Sequence, residues 1–231
     1  CIGVGKTSLA CMLAKDWNAQ LILEQFEENA FLPRFYKEPD RYALALELSF
    51  LAMRYKQLKI EVRENIFYDI KVADFIFDKT FIFANETLKD TNEYELFSNI
   101  YEIMSNHIVK PDLIIFLYAS IDQLLNNINK RGRSYEKSIT AEYLENIQNS
   151  YLQFFSAHPE LPILYLDING IDFIKNEKDY LDVFFEKRKN LKNLNYAVSD
   201  KKGLFVLNAV EIDQCYSGCF ASCATLLSLS L

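Results

Sequence analysis

Residues 1–10 read CIGVGKTSLA, and Gly3, Gly5, Lys6 and Thr7 match the tail of the phosphate-binding pattern G-x-x-x-x-G-K-[ST]. In that pattern backbone N–H groups cradle phosphates, the lysine reaches the outer phosphates and the hydroxyl serves a Mg²⁺ ion. The run 3–8 (Gly3, Val4, Gly5, Lys6, Thr7, Ser8) is therefore the candidate nucleotide-binding segment, with Thr7 the first candidate metal ligand. TSLACMLAK, which follows, predicts a helix whose N-terminus adds its dipole to the anion site. The first glycine would fall one residue before Cys1. A buried strand is expected ahead of it, so the chain reads as truncated at its N-terminus.

Outward from this loop, apolar runs and breakers alternate in β/α order. LILE at 21–24 predicts a short buried strand. Asp40 is the expected cap of a long helix through RYALALELSFLAMRYKQLK. KVADF at 71–75 predicts a second strand, with a helix to about Leu88 and another over about 92–107. PDLIIFLYAS supplies the clearest strand. Ser120 is expected to cap IDQLLNNINK, which stops at Arg131-Gly132, and Thr140 to start AEYLENIQNSYLQFF. Pro159 and Pro162 end that helix, ILYLDI is a further strand, and KDYLDVFFEKRKNL a closing helix. Strands alternating with helices predict an α/β fold around a parallel sheet. One domain over 1–195 is expected. Residues 196–231 form a tail without an assigned role, although GLFVLNAV within it has strand character.

The 231 residues, half of them hydrophobic, are enough for one α/β core. A net charge of −7 argues against a nucleic-acid polymer as partner, since that needs a basic face. No apolar run reaches the ~18 residues of a membrane-spanning helix, and no signal peptide is visible, so a cytoplasmic protein is expected. The five cysteines form no framework: Cys1 and Cys11 flank the phosphate loop, and Cys215, Cys219 and Cys223 lie in the tail. The spacing of the last three would place them along one face of a helix, but His is scarce and no second cluster completes a tetrahedral site. A GTPase reading fails for want of N-K-x-D, since Asn129-Lys130-Arg131-Gly132 lacks the Asp.

LILEQFEEN followed by PRFYKEPDRYALALELSFLAMR separates the remaining phosphoryl-transfer classes. Here the sequence resembles the deoxynucleoside kinase family, most closely its bacterial deoxyadenosine/deoxyguanosine kinase branch, from Cys1 to about Leu191. The resemblance implies a P-loop kinase-like fold with a five-stranded sheet ordered 2-3-1-4-5, the first strand missing here. Losing that strand would open two sheet edges, so poor folding of these residues alone is expected. It also implies an ATP- and Mg²⁺-dependent enzyme that phosphorylates a deoxynucleoside 5′-hydroxyl in nucleotide salvage, and a homodimer. Glu24, at the carboxyl end of a parallel strand where ligands bind such sheets, matches the residue that takes the hydroxyl proton. Tyr36, in Tyr36-x-x-Pro39-x-Arg41-Tyr42, matches the residue that binds the sugar 3′-hydroxyl.

Further along that helix Glu47 stands where the family places a base-binding Gln, and Arg54 matches the arginine at the far end of the base pocket. Glu47 and Arg54 share a helix face, which is also the spacing of an exposed ion pair. A carboxylate lacks the mixed edge of Gln, so an amino-bearing base is expected: deoxyadenosine first, then deoxyguanosine or deoxycytidine. At VADFIFDKTFIFA the sequence departs from the family, which has Asp/Glu-Arg-Ser and then a base-reading Asp. Asp74 remains as a second metal candidate, Phe75 replaces the arginine, Lys79 is the candidate for the lost charge, and Asp78 is a substrate-binding candidate. NKRGRSYE resembles the family's arginine-bearing lid. Arg131 and Arg133 match two of its arginines, Asn127 stands where some members carry another, and Glu136 is the candidate for orienting it. Lys6 and these arginines are the expected phosphate-neutralising groups. Asp172 and Phe173 in DINGIDF match the loop that holds the ATP base. The alternatives are a nucleoside-monophosphate kinase such as thymidylate kinase, gripping a phosphate with Arg34 and Arg41, and a non-catalytic nucleotide-binding remnant.

Overall fold

Ile114, Ile115, Phe116 and Leu117 are all completely buried on one strand. Successive strand side chains point to opposite faces, so this sheet is covered on both. The computed structural model describes residues 3–25, 29–35, 37–62, 67–88, 91–132, 139–181 and 203–208, with only the main chain described for Arg131, Glu177, Leu181 and 203–208. In chain order the elements are α1 (Lys6–Asp16), β1 (Gln20–Ile22), α2 (Leu32–Phe35), α3 (Pro39–Glu61), β2 (Ile70–Ala73), α4 (Lys79–Thr87), α5 (Glu93–Ser105), β3 (Leu113–Tyr118), α6 (Ile121–Arg131), α7 (Ala141–Ala157), β4 (Ile163–Asp167), α8 (Glu177–Leu181) and β5 (Gly203–Asn208).

The strands form a five-stranded sheet in the order β1-β2-β5-β3-β4, and every pairing is parallel. The short run from the C-terminal segment thus lies in the middle. Gly203 to Val206 align with Ile70 to Ala73 of β2, and Phe205 to Asn208 align with Leu113 to Phe116 of β3. Without β5 the edges of β2 and β3 would carry unpaired N–H and C=O groups inside the molecule. The rest of 196–231 lies outside the described residues, as do Cys1, Cys215, Cys219, Cys223 and the later part of the closing helix.

Local chemistry accounts for several helix ends. The Ser120 hydroxyl caps α6 by accepting from the Gln123 N–H, and Thr140 caps α7 by accepting from the Tyr143 N–H. Gly132 stops α6 in the left-handed region, with φ 72°. The long helix starts one residue before Asp40, with Glu38 at its N-cap. Pro39 decides this, because its fixed φ suits the first helical turn, where no N–H is needed. The single turn α2 has no apolar period of its own. Leu32 holds it by packing with Leu46 and Phe50 of α3. Helix α1 lies over β1, β2 and β5, while α3 packs on α4 and α5, and α7 on α4 and α6. No helix among the described residues is long and apolar enough to cross a membrane.

Candidate active site

Helix α1 opens at Gly5, whose φ of +89° lies in the left-handed region, as does that of Gly3 at +74°. A Cβ on Gly5 would stand 2.8 Å from Cζ of Phe173, so both the turn and the close approach need glycine. Asn127 ties the loop to α6 by donating from Nδ2 to the Gly3 carbonyl at 2.9 Å. Val4, Lys6 and Thr7 are buried and Ser8 is half-buried. The first N–H groups of α1 are donors of the kind that an anion takes at a helix N-terminus.

Asp74, just past β2 and only 4 % exposed, joins this loop to the next strand. Its Oδ2 accepts from Thr7 Oγ1 at 2.7 Å and its Oδ1 accepts from the Glu24 N–H at 2.8 Å. Thr7 and Asp74 offer only oxygen donors, which is the chemistry of a hard divalent cation.

Glu24, 5 % exposed, lies two residues beyond β1 at the carboxyl end of the sheet. Arg54 donates to its Oε1 from Nε at 2.7 Å and from Nη2 at 2.6 Å. Lys79 Nζ is 2.7 Å from Oε2. Arg54 also donates from Nη1 to Thr80 Oγ1 at 2.6 Å. Both cations are buried and lie over aromatic faces, Arg54 over Phe50 at 4.9 Å and Lys79 over Phe83 at 5.6 Å. Two cations beside two carboxylates balance charge that burial would otherwise penalise by several kcal/mol per ion.

Glu47 and Arg54 do share one face of α3, and both are buried, 3 % and 4 % exposed. They do not form an exposed ion pair. Arg54 turns to Glu24, and Glu47 Oε1 accepts from Thr87 Oγ1 of α4 at 3.0 Å. Arg54 and Glu47 of α3 thus each bond to a threonine of α4, Thr80 and Thr87.

Asp78 stands apart from this group. Its carboxylate accepts the hydroxyl of Tyr101 on α5, and burial first, then the Asp78 charge, pushes the Tyr101 phenol well above its ordinary range. Phe173 packs on the phosphate loop. Asp172 is exposed, with its carboxylate 3.8 Å from Lys175 Nζ. Arg131 ends α6 beside the loop's Asn127 tether. Tyr36, Arg133 and Glu136 lie outside the described residues. Sequence reasoning missed Thr80 and Thr87. Both sit on the α4 face that carries Lys79 and Phe83, and their hydroxyls give no signal until α3 is seen opposite.

The family model described as deoxynucleoside kinase matches residues 1–192. The chain is 36 % identical over 185 residues to the deoxyguanosine kinase of Bacillus subtilis, covering 78 % of this chain and 88 % of the relative. It is 32 % identical over 184 residues to the deoxyadenosine kinase of Dictyostelium discoideum, covering 77 % and 72 %. Among solved structures it is similar to deoxyadenosine kinase from M. mycoides with bound dCTP. That match has a TM-score of 0.65 and 23 % identity, covering 85 % of this chain and 96 % of that one.

Proposed function

The chain belongs to the deoxynucleoside kinase family, an enzyme that phosphorylates deoxynucleosides, and we propose that it transfers the γ-phosphoryl group of ATP to the 5′-hydroxyl of a deoxynucleoside whose base carries an exocyclic amine. One observation carries the mechanism. Asp74 links the Thr7 hydroxyl of the phosphate loop to the main chain of Glu24, so the donor and acceptor sites share one residue.

The acceptor oxygen attacks the γ-phosphorus, the bond to the bridging oxygen of ADP breaks, and Glu24 takes the hydroxyl proton. Arg54 and Lys79 hold the Glu24 carboxylate in place from both oxygens. Lys6 with the lid residues Arg131 and Arg133 neutralises the phosphates, which is most of what a loose phosphoryl-transfer transition state asks of a protein. Thr7 and Asp74 are the groups that would hold Mg²⁺, which supplies further charge neutralisation when bound. Tyr36 binds the sugar, and Asp172 and Phe173 the ATP base; the contact of Phe173 with Gly5 supports that last assignment.

Glu47 supports the preference for an amine. A carboxylate accepts from adenine N6, guanine N2 or cytosine N4, and thymine has no such group. Deoxyadenosine comes first, then deoxyguanosine or deoxycytidine. The tie of Asp78 to Tyr101 favours Lys79 over Asp78 as the α4 residue that faces the acceptor. A monophosphate acceptor finds less support, because Arg34 and Arg41 are exposed and Arg41 pairs with Glu38 at the surface. The parallel pairing of β5 between β2 and β3 supports its taking the place of the family's first strand, which gives the order 2-3-1-4-5 in the family's count. The homodimer, which rests on the resemblance, and the cytoplasmic location expected from the sequence belong to the same proposal.

The test is phosphate transfer from ATP to each of the four deoxynucleosides, with Glu24→Gln beside it. Transfer to deoxyadenosine, deoxyguanosine or deoxycytidine, reduced about 10²- to 10⁴-fold by Glu24→Gln, is the expected result. A thymidine preference would overturn the base assignment, and an undiminished Glu24→Gln the catalytic one.

A further inference from the structure

Past Ile22 the first strand leaves the ladder, yet Glu24 is still held as if a strand lay on either side of it. On the inner side β2 continues through Asp74, whose N–H donates to the Ile22 carbonyl at 3.2 Å and whose Oδ1 accepts the Glu24 N–H. On the outer side β1 is the sheet edge, and a side chain takes the strand's part. Gln57 donates from Nε2 to the Leu23 carbonyl at 2.6 Å and accepts the Gln25 N–H on Oε1 at 3.4 Å. In a parallel ladder one residue of a strand donates to the carbonyl before its partner residue and accepts from the N–H after it. The partner residue here is Glu24, and one amide does both.

Gln57 is 7 % exposed, and its orientation is fixed by what it meets, since a carbonyl needs the NH₂ end and an N–H the oxygen end. Its amide also reaches Glu61, one turn further along α3. Burial raises the proton affinity of Glu61, and this bond offsets part of the rise. Arg54 stands one turn earlier on the same helix. Successive turns of α3 therefore grip the Glu24 carboxylate and the Glu24 main chain.

We propose that Gln57 is a positioning residue for phosphoryl transfer: it acts as a one-residue surrogate strand that fixes where the Glu24 carboxylate points. It acts through Glu24 alone, and the inference rests on the reading of Glu24 as the group that takes the 5′-hydroxyl proton.

The experiment is steady-state kinetics on the full chain and on Gln57→Met, Glu24→Gln and the double variant, with residual turnover followed by radiolabel transfer. Gln57→Met is expected to lower kcat about 10- to 100-fold, the scale of an ångström-sized misplacement. KM for ATP and for the nucleoside should stay within about twofold, and in the Glu24→Gln background the same change should cost no further turnover. An equal loss in both backgrounds, or no loss in the single variant, overturns the proposal. Full activity of Glu24→Gln identifies the base assignment as the failure instead. If Gln57→Met does not melt cooperatively, Gln57→Glu replaces it, because it keeps the acceptor and loses the donor to Leu23. The same pattern is expected from it, and the same results overturn the proposal.

Discussion

The phosphate loop around Gly5 and the carboxylate centre around Glu24 meet at Asp74, and they are built by different means. The loop is consecutive sequence, Gly3 to Ser8, shaped by two glycines in the left-handed region and by a ring packed where a side chain would be. The centre is assembled from residues on or next to β1, α3, β2 and α4, with Thr7 of α1 bonded to it. Its bonds span 26 residues for Arg54–Thr80, 30 for Glu24–Arg54, 55 for Glu24–Lys79 and 67 for Thr7–Asp74. Backbone geometry holds the first region, and mutual compensation of buried charge holds the second. A local change should therefore damage the loop in one property, while a change in the centre should damage fold and chemistry together.

Arg54→Met tests that contrast at its largest. It strips two hydrogen bonds from Glu24 and one from Thr80, all buried. Removing one partner of a buried ion pair costs about 3–5 kcal/mol, which lowers Tm by on the order of 10 °C in a chain of this size. Turnover is expected to fall with it. Arg41→Met is the control, since the Arg41–Glu38 pair is 69 % and 55 % exposed and such pairs contribute about 0–1 kcal/mol. Equal melting points for the two variants would break the claim that charge compensation holds the centre.

Gly5→Ala probes the other region and should be the cleaner lesion. The left-handed backbone costs a residue with a Cβ about 1–2 kcal/mol, and the new methyl meets Phe173 at 2.8 Å. Nucleotide affinity is expected to fall about tenfold, the equivalent of ~1.4 kcal/mol, with the nucleoside KM unchanged. Phe173→Leu in the same chain removes the clash but also the ring proposed to hold the ATP base, so it should not restore the affinity. Titration calorimetry with ATP measures both. An unchanged affinity in Gly5→Ala would mean that the loop does not depend on close packing at this position.

The same contrast explains what could be read from the sequence. The loop, the helix caps at Ser120 and Thr140 and the stop at Gly132 follow local rules, and the structure has them where the residues put them. Pro39 moved a helix cap by two residues, from Asp40 to Glu38, for an equally local reason. Glu24, Glu47 and Arg54 drew attention only through resemblance, because a strand-end Glu and an i, i+7 pair on a helix look the same whether buried or exposed. Gln57, Thr80 and Thr87 carried no signal at all. Each matters through a partner on another element, and sequence spacing holds no record of that. The central place of Gly203–Asn208 was illegible for the same reason. A four-residue apolar run within GLFVLN has strand character, but which edge it pairs with is a property of the whole sheet.

Thr87→Val is the smallest change and the most specific, because it keeps the branched shape and replaces the hydroxyl by a methyl group. The Thr87 hydroxyl has two acceptors in reach, Glu47 Oε1 at 3.0 Å and the Phe83 carbonyl one turn back at 3.2 Å. It can donate to only one at a time, and the bond to Glu47 is the one expected to orient that carboxylate toward the base. Its loss is worth about 1 kcal/mol, so discrimination between a 6-amino and a 6-oxo purine should weaken about fivefold while Tm barely moves. The measurement is the ratio of kcat/KM for deoxyadenosine to that for deoxyinosine, which differ at the group Glu47 is proposed to meet. A ratio that shifts without any loss of stability would set Glu47 apart from Glu24, the first serving recognition of the base and the second proton transfer. An unchanged ratio would mean that Thr87 serves only the end of its own helix, and that the orientation of Glu47 is decided from α3.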